Sequence, residues 1–271
     1  MKLKSVVKLL VFVSMCCGCA TNPFTGKQTM ALVSNDQLFP VSFQQYNDFL
    51  KEHKVVEGTE DAKRIEQVGK RIAKAAERYL NANGYIGYLK DYKWEYHLVD
   101  DKTVNAWCMP GGKIVFYTGI LPVAKTDAGI AAIMGHEVAH ALANHGQQRM
   151  SAAYIQQGIA LAGNVAITDE QSRDLFNEYY GVGSNVGAML PFSRSHEAEA
   201  DRIGIVLMAI AGYDPAVAPE LWKRMETVSP SSTPEILSTH PATSSRISNL
   251  TALVPNARAE AKKFGVTSFS N

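Results

Sequence analysis

Between Thr126 and Gly146 the chain reads TDAGIAAIMGHEVAHALANHG, a run so apolar on every side that a helix formed from it must be buried. It carries His136, Glu137 and His140 inside with it. Thr126 or Asp127 is placed to cap the start and Gly146 to end it, with Ile130, Ile133, Met134, Val138 and Leu142 supplying apolar contacts. Four residues is a little over one turn, so both imidazoles project from one face and can close on one metal ion. Glu137 lies roughly 100° round the helix from His136, within reach of a water at that metal. The plainer alternative is a pair of hydrogen-bonded core histidines beside a solvated glutamate, but buried polar groups in such numbers need partners.

A third ligand must come from elsewhere. The HExxHxxGxxH extension is excluded, because Ala143 and Gly146 stand where its Gly and third His would be. Further on, SRSHEAEADRIG over Ser193–Gly204 runs into the apolar IGIVLMAIAGY and reads as a second buried helix. Glu197 and Asp201 are four apart on one face of it, which suits a carboxylate ligand and an aspartate one turn later that orients a ligand imidazole. Glu199 competes for the ligand role, although the residue four beyond it is Ile203. His196 competes too, but it points roughly 100° away from Glu197.

HEVAH followed by HEAEAD, with NPFTGKQ near the start and STHPATSSRI near the end, resembles the gluzincin peptidases. These include the CAAX prenyl proteases, the HtpX-type membrane proteases and a group of bacterial periplasmic lipoproteins. The resemblance implies one zinc ion held by His136, His140 and Glu197, with Glu137 as catalytic base and Asp201 behind the ligands. It also implies that His240, in its His-Pro pair, and Arg246 lie beside the zinc. There they stabilise the oxyanion, or His240 occupies the fourth metal position as an off switch. The implied activity is a zinc endopeptidase acting on unfolded or misassembled envelope proteins, its outer-membrane or periplasmic clients. Rival readings are a chaperone-like scaffold that keeps the zinc fold, against which an intact Glu137 argues, and a peptidoglycan hydrolase. The tetratricopeptide domain that some relatives carry is not expected after Arg246.

At the start, Lys2, Lys4 and Lys8 precede a short apolar run and small residues, so residues 1–18 read as a lipoprotein signal peptide, too short for a membrane span. Gly18-Cys19-Ala20 places the lipid anchor on Cys19, with Cys17 as the weaker candidate, and Ala20 favours the periplasmic face of the outer membrane if the source is Gram-negative. Residues 19–34 then form a lipid-anchored linker and 35–271 a single peptidase domain. The whole chain has 27 basic and 26 acidic residues, and loss of three signal lysines leaves 24 against 26. Such a near-neutral surface gives nucleic acid no electrostatic footing. Cys108 is the one cysteine away from the signal junction and reads as a buried strand residue.

The expected fold class is α+β, mainly helical, with a small sheet beside the metal helix. Helices are expected over 35–53 and 59–80, the second with a stripe of Ile65, Val68, Ile72 and Ala75 or Ala76 opposite charged Lys63, Arg64, Lys70 and Lys74. Trp94, Tyr96 and Leu98 alternate with Glu95, His97 and Val99 as in a half-buried strand. Asn105–Gly119 reads as a hairpin turning at Pro110, Gly111 and Gly112. Its edge, at Asn105, Ala106 and Trp107, is where an extended substrate would pair, because backbone pairing accepts any sequence. The 150–192 stretch reads as a lid or as a packing helix with a loop. Gly212 is expected to end the second motif helix and Asp214-Pro215 to open another. His53, His97 and His145 read as ordinary surface or structural histidines.

Overall fold

The computed structural model describes residues 19–152, 194–227, 236, 237, 240 and 244–271. The signal segment, nearly all of the stretch read as a lid, and the polar loop at 230–234 lie outside the described residues.

Two short strands open the described chain, β1 (Cys19–Thr21) and β2 (Gln28–Met30), paired antiparallel. Helix α1 (Asn35–Glu52) starts at a capping box in which Ser34 accepts from the Gln37 amide and the Gln37 side chain accepts from the Ser34 amide. After β3 (Val55–Val56), helix α2 (Glu60–Ala82) begins at Thr59, whose hydroxyl accepts from the Ala62 amide. Its stripe of Ile65, Val68, Ile72, Ala75 and Ala76 is buried, as the periodicity predicts.

Strands β4 (Glu95–Val99), β5 (Ala106–Met109) and β6 (Lys113–Tyr117) join β3 in one sheet of order β3-β4-β6-β5. β6 runs parallel to β4 and antiparallel to β5. Both faces of this sheet are covered. Tyr46 of α1 packs on Val99, Val115 and Tyr117, while Ile114 and Phe116 join α2 and the helix of the first motif in the main core. Every residue of β6 is therefore buried, and β4 loses its clean alternation because Leu98 and Val99 are both inside. Ile114 and Phe116 each contribute roughly 1.5–3 kcal/mol through that burial.

A 3₁₀ turn at Thr118–Ile120 and the short α3 (Leu121–Ala124) lead into α4 (Asp127–Leu142), the helix of the first motif. The Thr126 hydroxyl accepts from the Gly129 amide, so Thr126 is the cap. Gly146 does not end the helix. Asn144 does, by entering the left-handed region at φ 56°, and helical backbone resumes over 145–152. All residues from Ala128 to Leu142 are buried.

Helices α5 (Arg194–Ile210), α6 (Val217–Thr227) and α7 (Ser244–Lys263) complete the core. Gly212 follows α5 at φ 87°. Asp214-Pro215 makes a turn rather than a first helical turn: Asp214 Oδ1 accepts from the Ala216 amide, and α6 starts only at Val217. The arrangement is α+β, helical layers around one small mixed sheet, and among the described residues no helix is long and apolar enough to cross a membrane.

Candidate active site

Helix α4 presents His136 and His140 with their Nε2 atoms 3.1 Å apart. Helix α5 brings Glu197 against them, Oε1 at 3.2 Å from His140 Nε2 and Oε2 at 3.4 Å from His136 Nε2. His240 closes the group, its Nδ1 at 2.9 Å from Glu197 Oε1 and 3.2 Å from His136 Nε2. One ligand atom from each of these four residues can therefore face a common centre, and each residue is at most 6% exposed. A tetrahedral ion with ligand bonds of about 2.0–2.2 Å separates neighbouring ligands by about 3.3–3.6 Å. The donors stand at nearly that spacing, and two buried imidazole nitrogens that close need a proton or a cation between them. Burial and Arg246 lower His136, yet Asp201 and Glu197 raise it to about 9. Burial holds His140 well below its usual value. The residues fit a single small divalent cation.

Glu137, next to His136 on α4, is 3% exposed. Its Oε1 has no hydrogen-bond partner among the described residues and lies 3.7 Å from His240 Nε2. Burial pushes its carboxyl above the ordinary glutamate value, against the pull of His240 and His136.

Asp201, one turn along α5, places Oδ1 3.0 Å from His136 Nδ1, as its spacing from Glu197 predicts. Arg246 of α7 grips Asp201 with two bonds of 2.7 Å, from Nε and Nη2. Its Nη1 is 3.1 Å from Glu197 Oε2 and donates at 3.3 Å to the His240 carbonyl, while its plane lies 3.5 Å over Trp222. Arg246 thus ties two acidic side chains to the backbone that carries His240. Burial opposes ionisation of Glu197, but His136, His140 and His240 outweigh it and hold the carboxylate well below the usual range.

The two competitors for the third ligand sit one layer out. Glu199 Oε2 is 2.8 Å from His145 Nε2, and His196 stacks on the His145 ring with centroids 4.2 Å apart. His145 is more than the ordinary histidine the sequence suggested: it is fully buried, with Nδ1 2.9 Å from His140 Nδ1. The only signal for it was its place just after the ligand helix, and the break at Asn144 turns it inward. His53 stacks on Phe49 and His97 meets the Tyr46 hydroxyl, both structural as read.

On the sheet, β5 is an outermost strand beside α4. Asn105 and Ala106 are buried there, with Asn105 Oδ1 accepting from the Ala106 amide. Trp107 turns its ring to the other face, edge-on to Phe49 and Tyr46 of α1, so only its backbone is available at that edge. Cys108 is half-buried and packs on the main core, where burial, with Glu137 nearby, pushes its thiol well up.

Two helix-borne histidines, a glutamate from a second helix and a buried carboxylate beside them are a donor set that could hold a metal ion. The chain belongs to peptidase family M48, whose model matches residues 60–254. It is 33% identical over 191 residues to the mitochondrial metalloendopeptidase OMA1 of Schizosaccharomyces pombe, a match covering 70% of this chain and 54% of that protein. It is 28% identical over 246 residues to human mitochondrial metalloendopeptidase OMA1, covering 87% and 46%. To the β-barrel assembly-enhancing protease of Escherichia coli it is 27% identical over 183 residues, covering 64% and 37%. The chain spans about half the length of the curated relatives it matches.

Proposed function

We propose that the protein is a zinc endopeptidase in which His136, His140 and Glu197 hold the metal and Glu137 is the general base. The observation that carries this reading is the four-donor cluster with, beside it, a Glu137 carboxylate oxygen that has no hydrogen-bond partner among the described residues. Zinc in such a site supplies Lewis acidity to water and to a peptide carbonyl. Glu137 takes the proton as water attacks and delivers it to the leaving amine. Asp201 fixes the His136 ring, and Arg246 acts through Asp201 and Glu197 rather than on the substrate. The backbone edge of β5 at Asn105, Ala106 and Trp107 pairs with an extended substrate, which favours unfolded chains.

His240 occupies the corner of the cluster that an attacked carbonyl needs, and its second nitrogen faces Glu137. This arrangement is the closed state, and cleavage requires the imidazole to leave that corner. It also favours the second reading, a latent envelope protein with chaperone-like behaviour until released. The proposed setting is the cell envelope, with a lipid on Cys19 and misassembled outer-membrane or periplasmic proteins as substrates. The sequence before Ala20 and the likeness to the β-barrel assembly-enhancing protease support this.

The test is cleavage of an unfolded model protein by wild type and Glu137→Gln, with zinc content measured on both. Cutting by wild type alone, with about one zinc in each, upholds the mechanism. Zinc in both and cutting by neither favours the latent reading, and an absence of bound zinc refutes the site.

A further inference from the structure

Three side chains outside the ligand set form a line ending on His140. Its Nδ1 is 2.9 Å from His145 Nδ1, His145 Nε2 is 2.8 Å from Glu199 Oε2, and Asn22 Nδ2 donates to that same oxygen at 2.9 Å. Both ends of this line are sealed from water, His145 not exposed at all and Asn22 1% exposed, while the Glu199 side chain between them is 13% exposed. Asn22 belongs to the β1–β2 hairpin, far from the metal helix in sequence. Its own geometry is held by the Phe24 amide on Oδ1 at 2.9 Å and by backbone bonds to Gly26 and Lys27. Stacking of Phe24 on Tyr79 of α2, centroids 5.3 Å apart, seats the turn.

The donors and acceptors admit one consistent direction. A His140 that ligates through Nε2 carries its proton on Nδ1 and donates it to His145 Nδ1. His145 must then be protonated on Nε2, which Glu199 accepts, and Asn22 supplies the second donor to the carboxylate. Metal-bound imidazoles are fixed in tautomer and orientation by such outer partners, whose loss costs about 10–100-fold in metal affinity. We propose that His145, Glu199 and Asn22 are positioning residues for His140, making the folded N-terminal hairpin part of the metal site. Attachment of the N-terminal segment then feeds directly into how firmly the metal is held.

The inference rests on the proposed zinc site, and the experiment separates the two. In the full chain purified in detergent, zinc affinity is measured by competition with a chelating dye, alongside the melting temperature of metal-stripped protein. Glu199→Leu removes the acceptor on which His145 Nε2 and Asn22 Nδ2 converge, and Asn22→Asp sets two carboxylates together. Each of these variants is expected to bind zinc about ten-fold more weakly. Glu199→Gln can keep an amide oxygen at that point, accepting from both donors, and is expected to hold affinity within about three-fold of wild type. Wild-type affinity in Glu199→Leu or Asn22→Asp overturns the relay, as does a Glu199→Gln variant no better than Glu199→Leu. So does a loss that appears only as a lower metal-stripped melting temperature. If wild type shows no zinc binding that His140→Ala abolishes, the peptidase reading itself fails; if it does show it, any failure belongs to the relay alone.

Discussion

Gly135 and Gly204 meet where α4 crosses α5: a Cβ on Gly204 would lie 2.8 Å from the backbone carbon of Gly135 and from the His136 amide nitrogen. The reciprocal Cβ on Gly135 would meet the Gly204 carbonyl oxygen at 2.7 Å. Neither obstacle is a side-chain tip that could swing away. This crossing is what lets Glu197, two turns before Gly204, reach the imidazoles of α4. Gly204→Ala is therefore expected to cost about 1–3 kcal/mol of stability and to weaken metal binding, although it touches no ligand. Urea unfolding and a metal titration check it; an alanine variant with unchanged zinc affinity would remove the crossing from the account of the site.

The place of His240 leads to a prediction of the opposite sign. Three ligands remain in His240→Ala, and the fourth corner opens. Cleavage of an unfolded protein should rise several-fold, on the order of 1 kcal/mol of barrier, with zinc content unchanged. A drop in kcat at unchanged zinc content would instead assign the imidazole to the oxyanion.

Glu137→Gln keeps the shape of the side chain and loses the base. The expected fall in kcat is about 10²–10⁴-fold with zinc retained, read from a peptide cleavage assay beside metal analysis.

Asp201 and Arg246 make a pH-dependent contribution to stability. Burial alone would raise the Asp201 carboxyl, but Arg246 and His136 outweigh it and hold the native value below the ordinary one. The contribution is therefore complete above about pH 4 and is lost as the pH falls through the depressed native value. Asp201→Asn leaves the buried guanidinium with Glu197 as its remaining carboxylate and is expected to cost about 3 kcal/mol at neutral pH. The gap from wild type should narrow as acid protonates Asp201, which urea midpoints at a series of pH values would reveal. A gap of constant size would mean that the pair does not titrate in this way.

Much of the site could be read along the chain because its members are locally periodic. The HEVAH spacing places two imidazoles on one helical face, and the four-residue step from Glu197 to Asp201 does the same for ligand and support. The α2 stripe and the 105–119 hairpin follow the same logic. Strand β6 did not reveal its two covered faces, since an apolar run reads alike in any buried setting, and the helix end at Gly146 was misplaced because Asn144 took the left-handed turn first.

By itself, then, the sequence determined which residues share a face, and with it the proposed ligand pair, the proposed base beside it and the helical class of the fold. Only the tertiary structure decided what lies between elements distant in the chain: the glycine crossing, His240 against Glu197, Arg246 gripping Asp201, and Asn22 reaching Glu199. The physical reason is that helical and strand periods order side chains over a few residues. Contacts across 43 and 177 positions, those of His240 to Glu197 and Asn22 to Glu199, depend on how whole elements pack.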